Sequence, residues 1–130
     1  LLKRTGNYTS EEWQILEQHT TNGARILDHS SSPVLQTAST IALTHHERWD
    51  GSGYPRGLKG EEIPVSGRIC ALADVFDALT THRSYKEVIS DDSALELIQQ
   101  SSGVLFDPTL VQVFTRNYPE IIKIKNSIGW

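Results

Sequence analysis

Residues 66–81, with the sequence SGRICALADVFDALTT, hold the clearest helical pattern of the chain. Apolar side chains recur there at intervals of three and four residues, a spacing that places them on one face of an α-helix. Asp74 interrupts this face, and burying an ionised carboxylate there costs free energy unless it is paired or binds a metal. We expect the core stripe of this helix to consist of Ile69, Leu72, Ala73, Phe76 and Leu79.

Two further helices are predicted upstream of this segment. The first covers about residues 10–28, because Thr9 and Glu12 have the spacing of a capping box at its start. The second covers residues 32–45, because it opens with serine as a favoured N-cap and proline as a favoured first helical residue.

Downstream, two shorter helices are expected over residues 90–102 and 108–117. Gly103 follows the first of them, and Asp107 stands at the N-cap position of the second. The tail after Pro119 is apolar without a clean period, and we expect it to dock on the core. The sequence therefore predicts an all-α fold of about five helices with one long loop.

That long loop extends from about Arg48 to Gly67, where the helical period stops. A loop longer than about 12–15 residues is uncommon unless it is functional or disordered, and the aromatic and charged residues here favour a function. Tyr54 has two alternatives of equal weight: it stacks on a nucleobase or a partner, or it pins the loop to the core together with Trp49. The glycines and prolines that mark the loop are Gly51, Gly53, Pro55, Gly57, Gly60 and Pro64.

Composition limits the class of protein. With 130 residues the chain forms one domain, and its net charge of −4 argues against binding to nucleic-acid polymers. No apolar run has the length of a membrane span. The single cysteine, Cys70, is expected to be buried and fits a reducing compartment such as the cytoplasm. The absence of methionine and of a signal-peptide pattern leads us to expect a piece of a longer protein.

Three histidines are candidate metal ligands. His19 lies on the apolar stripe of the first helix, and His45 and His46 close the second helix. Each alone is more often a hydrogen-bonded structural residue than a ligand. Together with Asp74 they suit a first-row transition metal such as Fe or Mn. The residues alone therefore favour a metal-binding role and a purely structural role about equally.

The stretch from His45 to Pro55, HHERWDGSGYP, resembles the hallmark of the HD-GYP family. The resemblance continues through GLKG at residues 57–60, ADVFDALT at 73–80 and RSYK at 83–86, and more weakly through Phe106-Asp107-Pro108. It implies an all-α enzyme of the HD superfamily that hydrolyses cyclic di-GMP, a bacterial second messenger. It further implies a centre of two or three divalent ions, Fe or Mn, in the complete domain.

The resemblance also implies roles for single residues of this chain. Asp74 and Asp77 match catalytic carboxylates, Asp77 as a residue that supports the site or pairs with a lysine. Arg83 and Lys86 match residues that hold the substrate phosphate, with Tyr85 beside them and Tyr54 as a further substrate contact. The implied metal ligands are His19, His45, His46 and Asp74.

One part of the family pattern is missing, because no His-Asp dipeptide occurs in the sequence. We therefore expect residues 1–130 to be the C-terminal portion of a single HD-GYP domain whose first helices lie upstream, with little activity in isolation. Expected partners are cyclic di-GMP, a GGDEF-type cyclase domain at the Gly-Tyr-Pro loop and an upstream regulatory domain. Two alternatives remain: a non-catalytic module that binds a cyclic dinucleotide or a protein, and a hydrolase of another cyclic dinucleotide such as cyclic GMP-AMP.

Overall fold

A computed structural model of the chain describes residues 7–81 and 87–128. Within these ranges the chain is all-helical, with six α-helices and a short 3-10 helix at Gly60–Glu62. Across the same ranges, no helix is both long enough and apolar enough to cross a membrane. The α-helices are α1 (Ser10–Leu27), α2 (Pro33–Thr44), α3 (Val65–Thr80), α4 (Asp91–Gln100), α5 (Pro108–Arg116) and α6 (Tyr118–Ser127).

The predicted all-α fold class is confirmed, and the described residues form six α-helices where about five were expected. The tail after Pro119, which lacks a clean apolar period, forms α6. Proline is tolerated there because it lies in the first turn, where the backbone N–H has no intrahelical acceptor. Ile121 and Ile122 pack against the buried core. Tertiary contacts therefore stabilise a helix that the apolar pattern of the segment does not predict.

Local capping explains where several helices begin. At the start of α1, the Thr9 hydroxyl accepts from Glu12 N at 3.1 Å, and the Glu12 carboxylate accepts from Thr9 N at 2.8 Å. The Asp107 carboxylate accepts from Thr109 N at 2.9 Å at the start of α5. Both predicted caps are confirmed.

The buried core lies in the C-terminal half of the molecule. It is formed by Leu72, Phe76, Ala94, Ile98, Phe106 and Val111, contributed by α3, α4, α5 and the α4–α5 connection. The expected α3 stripe is partly wrong, because Ile69 is 52% exposed and Ala73 is exposed too. The buried residues of α3 instead include Gly67, which turns toward Thr44 of α2, and Ala71. Cys70 is half-buried rather than buried.

Three close contacts hold α1, α2 and α3 together. Gly23 of α1 lies against Ala42 of α2, where an added Cβ would be 3.3 Å from the alanine Cβ. The Ser39 hydroxyl of α2 donates to the Ala24 carbonyl of α1 at 3.0 Å. On the other side of α2, Gly67 of α3 approaches the buried Thr44 so closely that a Cβ would stand 2.9 Å from the threonine Cβ.

The segment between α2 and α3 is ordered by backbone hydrogen bonds. Trp49 N donates to Leu105 O at 3.2 Å and Asp50 N donates to Val104 O at 2.9 Å, which ties the loop to the α4–α5 connection. The Tyr54–Pro55 peptide bond is cis. A largely buried ion pair between Arg68 and Asp107, 2.8 Å long, links the start of α3 to the start of α5.

Candidate metal centre

Packing of α1 against α2 brings three imidazole rings together. The ring centroid of His19 lies 5.5 Å from that of His45 and 4.8 Å from that of His46, and the adjacent rings of His45 and His46 are 4.2 Å apart. One ligand atom from each ring lies within 4.8 Å of the other two. The structure therefore assembles the three predicted histidines at one point.

Two of the rings are oriented by backbone carbonyl groups. Nδ1 of His19 lies 2.5 Å from Leu16 O, and Nδ1 of His45 lies 2.8 Å from Ile41 O. A carbonyl oxygen can only accept a hydrogen bond, so Nδ1 carries the proton in both rings. In the neutral form of either ring, Nε2 is then the nitrogen that carries a lone pair, which is the arrangement found for histidines that bind metals.

The third ring is kept neutral by its surroundings. Burial, followed by the neighbouring His45 and His19 rings, lowers the pKa of His46 to about 4, and the Asp74 carboxylate opposes this shift. A neutral imidazole at neutral pH can offer a lone pair to a metal without first losing a proton.

Asp74 lies near the three histidines without joining their tight group. Its carboxylate acts electrostatically on His46, Tyr54 and Cys70, so these groups lie within its electrostatic reach. Burial, and after it this carboxylate, raises the pKa of the Cys70 thiol. Its side chain is exposed, which corrects the premise that it is a buried carboxylate requiring compensation. In residues 7–81 and 87–128, the group of metal-ligating atoms within 4.8 Å consists of the histidines alone.

The other predicted site residues fall in different places. Asp77 accepts a hydrogen bond from the Thr81 hydroxyl at 2.8 Å and, with Asp74, borders a cavity of about 670 Å³ between α3, α5 and α6. Arg83, Tyr85 and Lys86 lie outside the described residues.

Tyr54 packs against one of the candidate ligands. Its ring stacks on the His46 ring with a centroid distance of 5.0 Å and an angle of 17° between the planes. Its backbone N–H donates to His46 O at 3.2 Å. The tyrosine thus joins the Gly-Tyr-Pro loop to the histidine cluster, and burial raises the pKa of its phenol.

Sequence reasoning missed Glu47, which is 3% exposed. Its two carboxylate oxygens accept hydrogen bonds from Arg56 N and Leu58 N, both at 3.1 Å. The signal that could have found it is its position, since a carboxylate directly before a loop rich in glycine faces many backbone N–H groups that need an acceptor.

The donor set fits a divalent first-row ion. Imidazole nitrogens suit Fe and Zn, and three protein ligands leave coordination positions open for substrate or water. Further ligands would have to come from outside this group, and Asp74, whose carboxylate acts electrostatically on His46, is one candidate.

Comparisons with known proteins agree with this geometry. A family model described as HD domain matches residues 1–110. A cyclic di-GMP phosphodiesterase of Thermotoga maritima is 51% identical over 124 residues, which cover 95% of this chain and 34% of that protein. A 3′3′-cGAMP-specific phosphodiesterase 2 of Vibrio cholerae is 44% identical over 98% of this chain and 24% of that protein.

A solved structure is similar as well. The cyclic GMP-AMP-specific phosphodiesterase V-cGAP3 of Vibrio cholerae superposes with a TM-score of 0.64 at 32% identity, covering 86% of this chain and 25% of that one. The chain thus spans about a quarter to a third of the length of these relatives. Since the family match covers most of the sequence and the relatives are phosphodiesterases, the chain belongs to the HD-domain family, and its resemblance to the HD-GYP group is confirmed.

Proposed function

We propose that the chain is the C-terminal portion of an HD-GYP domain in a metal-dependent phosphodiesterase, and that cyclic di-GMP is its substrate. The observation that carries the proposal is the cluster of His19, His45 and His46, with one ligand atom of each within 4.8 Å of the others. A relative 51% identical over almost the whole chain is a cyclic di-GMP phosphodiesterase, which supports the choice of substrate.

In this proposal the three histidines and Asp74 hold the metal, which is Fe or Mn, with two or three ions in the complete domain. A divalent ion held there supplies Lewis-acid stabilisation of the charge that develops on the phosphodiester. The free Nε2 lone pairs of His19 and His45 and the neutral His46 ring support these assignments.

The remaining roles follow the family resemblance. Arg83 binds phosphate oxygens through its planar fork of donors, and Lys86 adds a positive charge, with Tyr85 beside them. Asp77 supports the site from the face of α3 that also carries Asp74. Tyr54 contacts the substrate from the edge of its ring that is not covered by His46.

A second substrate is favoured by a specific observation. Two of the relatives described above act on cyclic GMP-AMP, one of them 44% identical over 98% of this chain. A phosphate-binding pair such as Arg83 and Lys86 contacts the part that the two cyclic dinucleotides share, so the purine must be selected by other residues.

The test uses the chain and its full-length parent, each loaded with Mn²⁺ or, under anaerobic conditions, with Fe²⁺. Hydrolysis of cyclic di-GMP and of 3′3′-cGAMP is followed by chromatography of the products. We expect turnover by the parent and little by the chain alone, because three histidines and Asp74 supply too few ligands for two tightly bound ions. Failure of the metal-loaded parent to hydrolyse either dinucleotide would leave a non-catalytic binding module as the better proposal.

A pair of histidine variants makes the test specific. His46→Ala removes a candidate ligand and should abolish both metal retention and turnover in the parent. His29→Ala is the matched control, because His29 is exposed just after α1 and does not belong to the cluster. Equal activity of the two variants would exclude the histidine cluster from the site.

The Gly-Tyr-Pro loop is also proposed to bind a GGDEF-type cyclase domain, and an upstream regulatory domain is proposed to control the enzyme. Arg56 and Lys59 are exposed on this loop and give its rim positive charge, which supports contact with an acidic partner surface. Replacing Arg56 by Glu should weaken capture of a purified cyclase domain in a titration. Unchanged capture would contradict this use of the loop.

A further inference from the structure

The three histidines differ in what holds their rings in place. His19 and His45 each direct Nδ1 toward a carbonyl oxygen of their own helix. Within the described part of the chain, His46 has no such bond, and its aromatic contacts are with the other two histidines and with Tyr54. Tyr54, a loop residue, is therefore the aromatic neighbour of His46 that lies outside the histidine cluster.

The Glu47 carboxylate adds two hydrogen bonds to the backbone contacts that close the loop presenting Tyr54. Glu47 accepts from Arg56 N and Leu58 N, so both hydrogen bonds fall just beyond the Tyr54–Pro55 peptide. At the near side of the loop, Tyr54 N donates to His46 O at 3.2 Å. The backbone of the loop is thus fixed on both sides of Tyr54, and Glu47 supplies the far side.

The described partners of the Glu47 carboxylate are backbone N–H groups rather than a positively charged side chain. It is 3% exposed, and among residues 7–81 and 87–128 its carboxylate is hydrogen-bonded to two N–H groups instead of a lysine or arginine. A buried carboxylate is costly unless its oxygens are satisfied, and hydrogen bonds to an ionised acceptor are the stronger kind. An amide could satisfy only one of the two donors, because its NH₂ group cannot accept.

We infer that Glu47 is a positioning residue for the metal centre: by closing the loop at Arg56 and Leu58 it holds Tyr54 against His46 and so orients that imidazole as a ligand. The inference rests on the proposed metal site. It assigns to Glu47 the function that a backbone carbonyl performs for His19 and His45, because residues that orient metal ligands contribute to affinity from outside the coordination sphere.

The test compares Glu47→Gln with Glu62→Gln in the chain. Glu62 is the matched control, since its carboxylate also accepts from a loop N–H, that of Lys59 at 3.0 Å, but it is exposed and does not belong to the histidine cluster. Binding of Mn²⁺ is measured by equilibrium dialysis. We expect Glu47→Gln to weaken Mn²⁺ binding roughly 10- to 100-fold, the range typical for loss of an orienting partner, and Glu62→Gln to change it less than about twofold.

A second readout needs no metal. In the metal-free chain, nuclear Overhauser contacts between the Tyr54 and His46 ring protons report the stacking directly. These contacts should disappear in Glu47→Gln and persist in Glu62→Gln. Persistence of the ring contacts together with unchanged Mn²⁺ affinity in Glu47→Gln would overturn the inference.

A double variant separates positioning from a general loss of structure. Tyr54→Leu leaves the Glu47 carboxylate and its hydrogen bonds in place, yet removes the ring that contacts His46. If Glu47 acts through Tyr54, the double variant Glu47→Gln/Tyr54→Leu binds Mn²⁺ with the same affinity as the single variant that has the lower Mn²⁺ affinity. Additive losses would refute the coupling. If the unsubstituted chain binds no Mn²⁺, the proposed metal site fails, while loss of the ring contacts in Glu47→Gln still supports the positioning of Tyr54.

Discussion

Replacing Gly67 by alanine tests the contact that sets the distance between α2 and α3. The new Cβ would lie 2.9 Å from Thr44 Cβ and nearer still to its hydroxyl oxygen, well inside ordinary van der Waals contact. Thr44 is buried and its hydroxyl donates to Thr40 O at 2.6 Å, so it cannot turn away freely. Overpacking of this kind costs about 1–3 kcal/mol, and the gain in helix propensity from glycine to alanine recovers at most about 1 kcal/mol.

The matched control is Gly23→Ala in α1, where a Cβ would meet Ala42 Cβ at 3.3 Å, a contact that a small shift relieves. In urea denaturation we expect Gly67→Ala to lose about 1–2 kcal/mol, and Gly23→Ala to be near neutral. Mn²⁺ affinity should also fall in Gly67→Ala, because Asp74 lies seven residues further along the same face of α3. Thr44→Ala should recover part of the loss. Equal stability of the two glycine variants would refute the argument.

Three further variants test single contacts. Arg68→Ala leaves the carboxylate of Asp107, 7% exposed, without its cation, and should destabilise the chain by about 3 kcal/mol in urea denaturation; a loss below about 1 kcal/mol would contradict the ion pair. Thr9→Ala removes the hydroxyl that caps α1 and should cost about 1 kcal/mol, whereas an unchanged urea midpoint would show that this cap contributes nothing. Burial and the Asp92 carboxylate, which accepts from the phenol at 2.7 Å, raise the pKa of Tyr118. The folded state then holds the phenol proton more tightly than the unfolded state, so Tyr118 adds to the free energy of unfolding below about pH 10 and this addition is lost at higher pH. Between pH 9 and pH 11 the urea midpoint should therefore fall less in Tyr118→Phe than in the unsubstituted chain. An equal fall in the two proteins would contradict this assignment.

The fold class could be predicted because it depends on local patterns, and the meeting of the three histidines could be predicted from the family resemblance. A capping box, a serine–proline start and an apolar period are written in neighbouring residues, and they place α1, α2 and α3 close to their observed bounds. Family resemblance then indicates that His19 belongs with His45 and His46, and the packing of α1 on α2 brings the three rings together.

The features that sequence reasoning missed depend on tertiary contacts. The sixth helix is stabilised by Ile121 and Ile122 against a core whose position the tail itself does not reveal. The exposure of Ile69 follows from the rotation of α3, which turns Gly67 toward Thr44 and leaves Ile69 on the opposite face. In the sequence, Glu47 cannot be distinguished from other charged residues at helix ends, because its burial and its hydrogen bonds arise only when the loop folds over it.

The placement of the buried core has a consequence for how the molecule opens. The core cluster belongs to α3, α4, α5 and the segment before α5, whereas the histidines are carried by α1 and the end of α2. On these two helices the buried side chains are Thr20 and Thr44, and apolar residues such as Ile26 and Val34 are 81% and 75% exposed. Segments with little buried apolar surface open at lower free energy than the rest of a domain. A metal ion bound by the histidines would therefore stabilise the half of the molecule that opens at the lowest free energy. Its binding energy would raise mainly the free energy of local opening of α1.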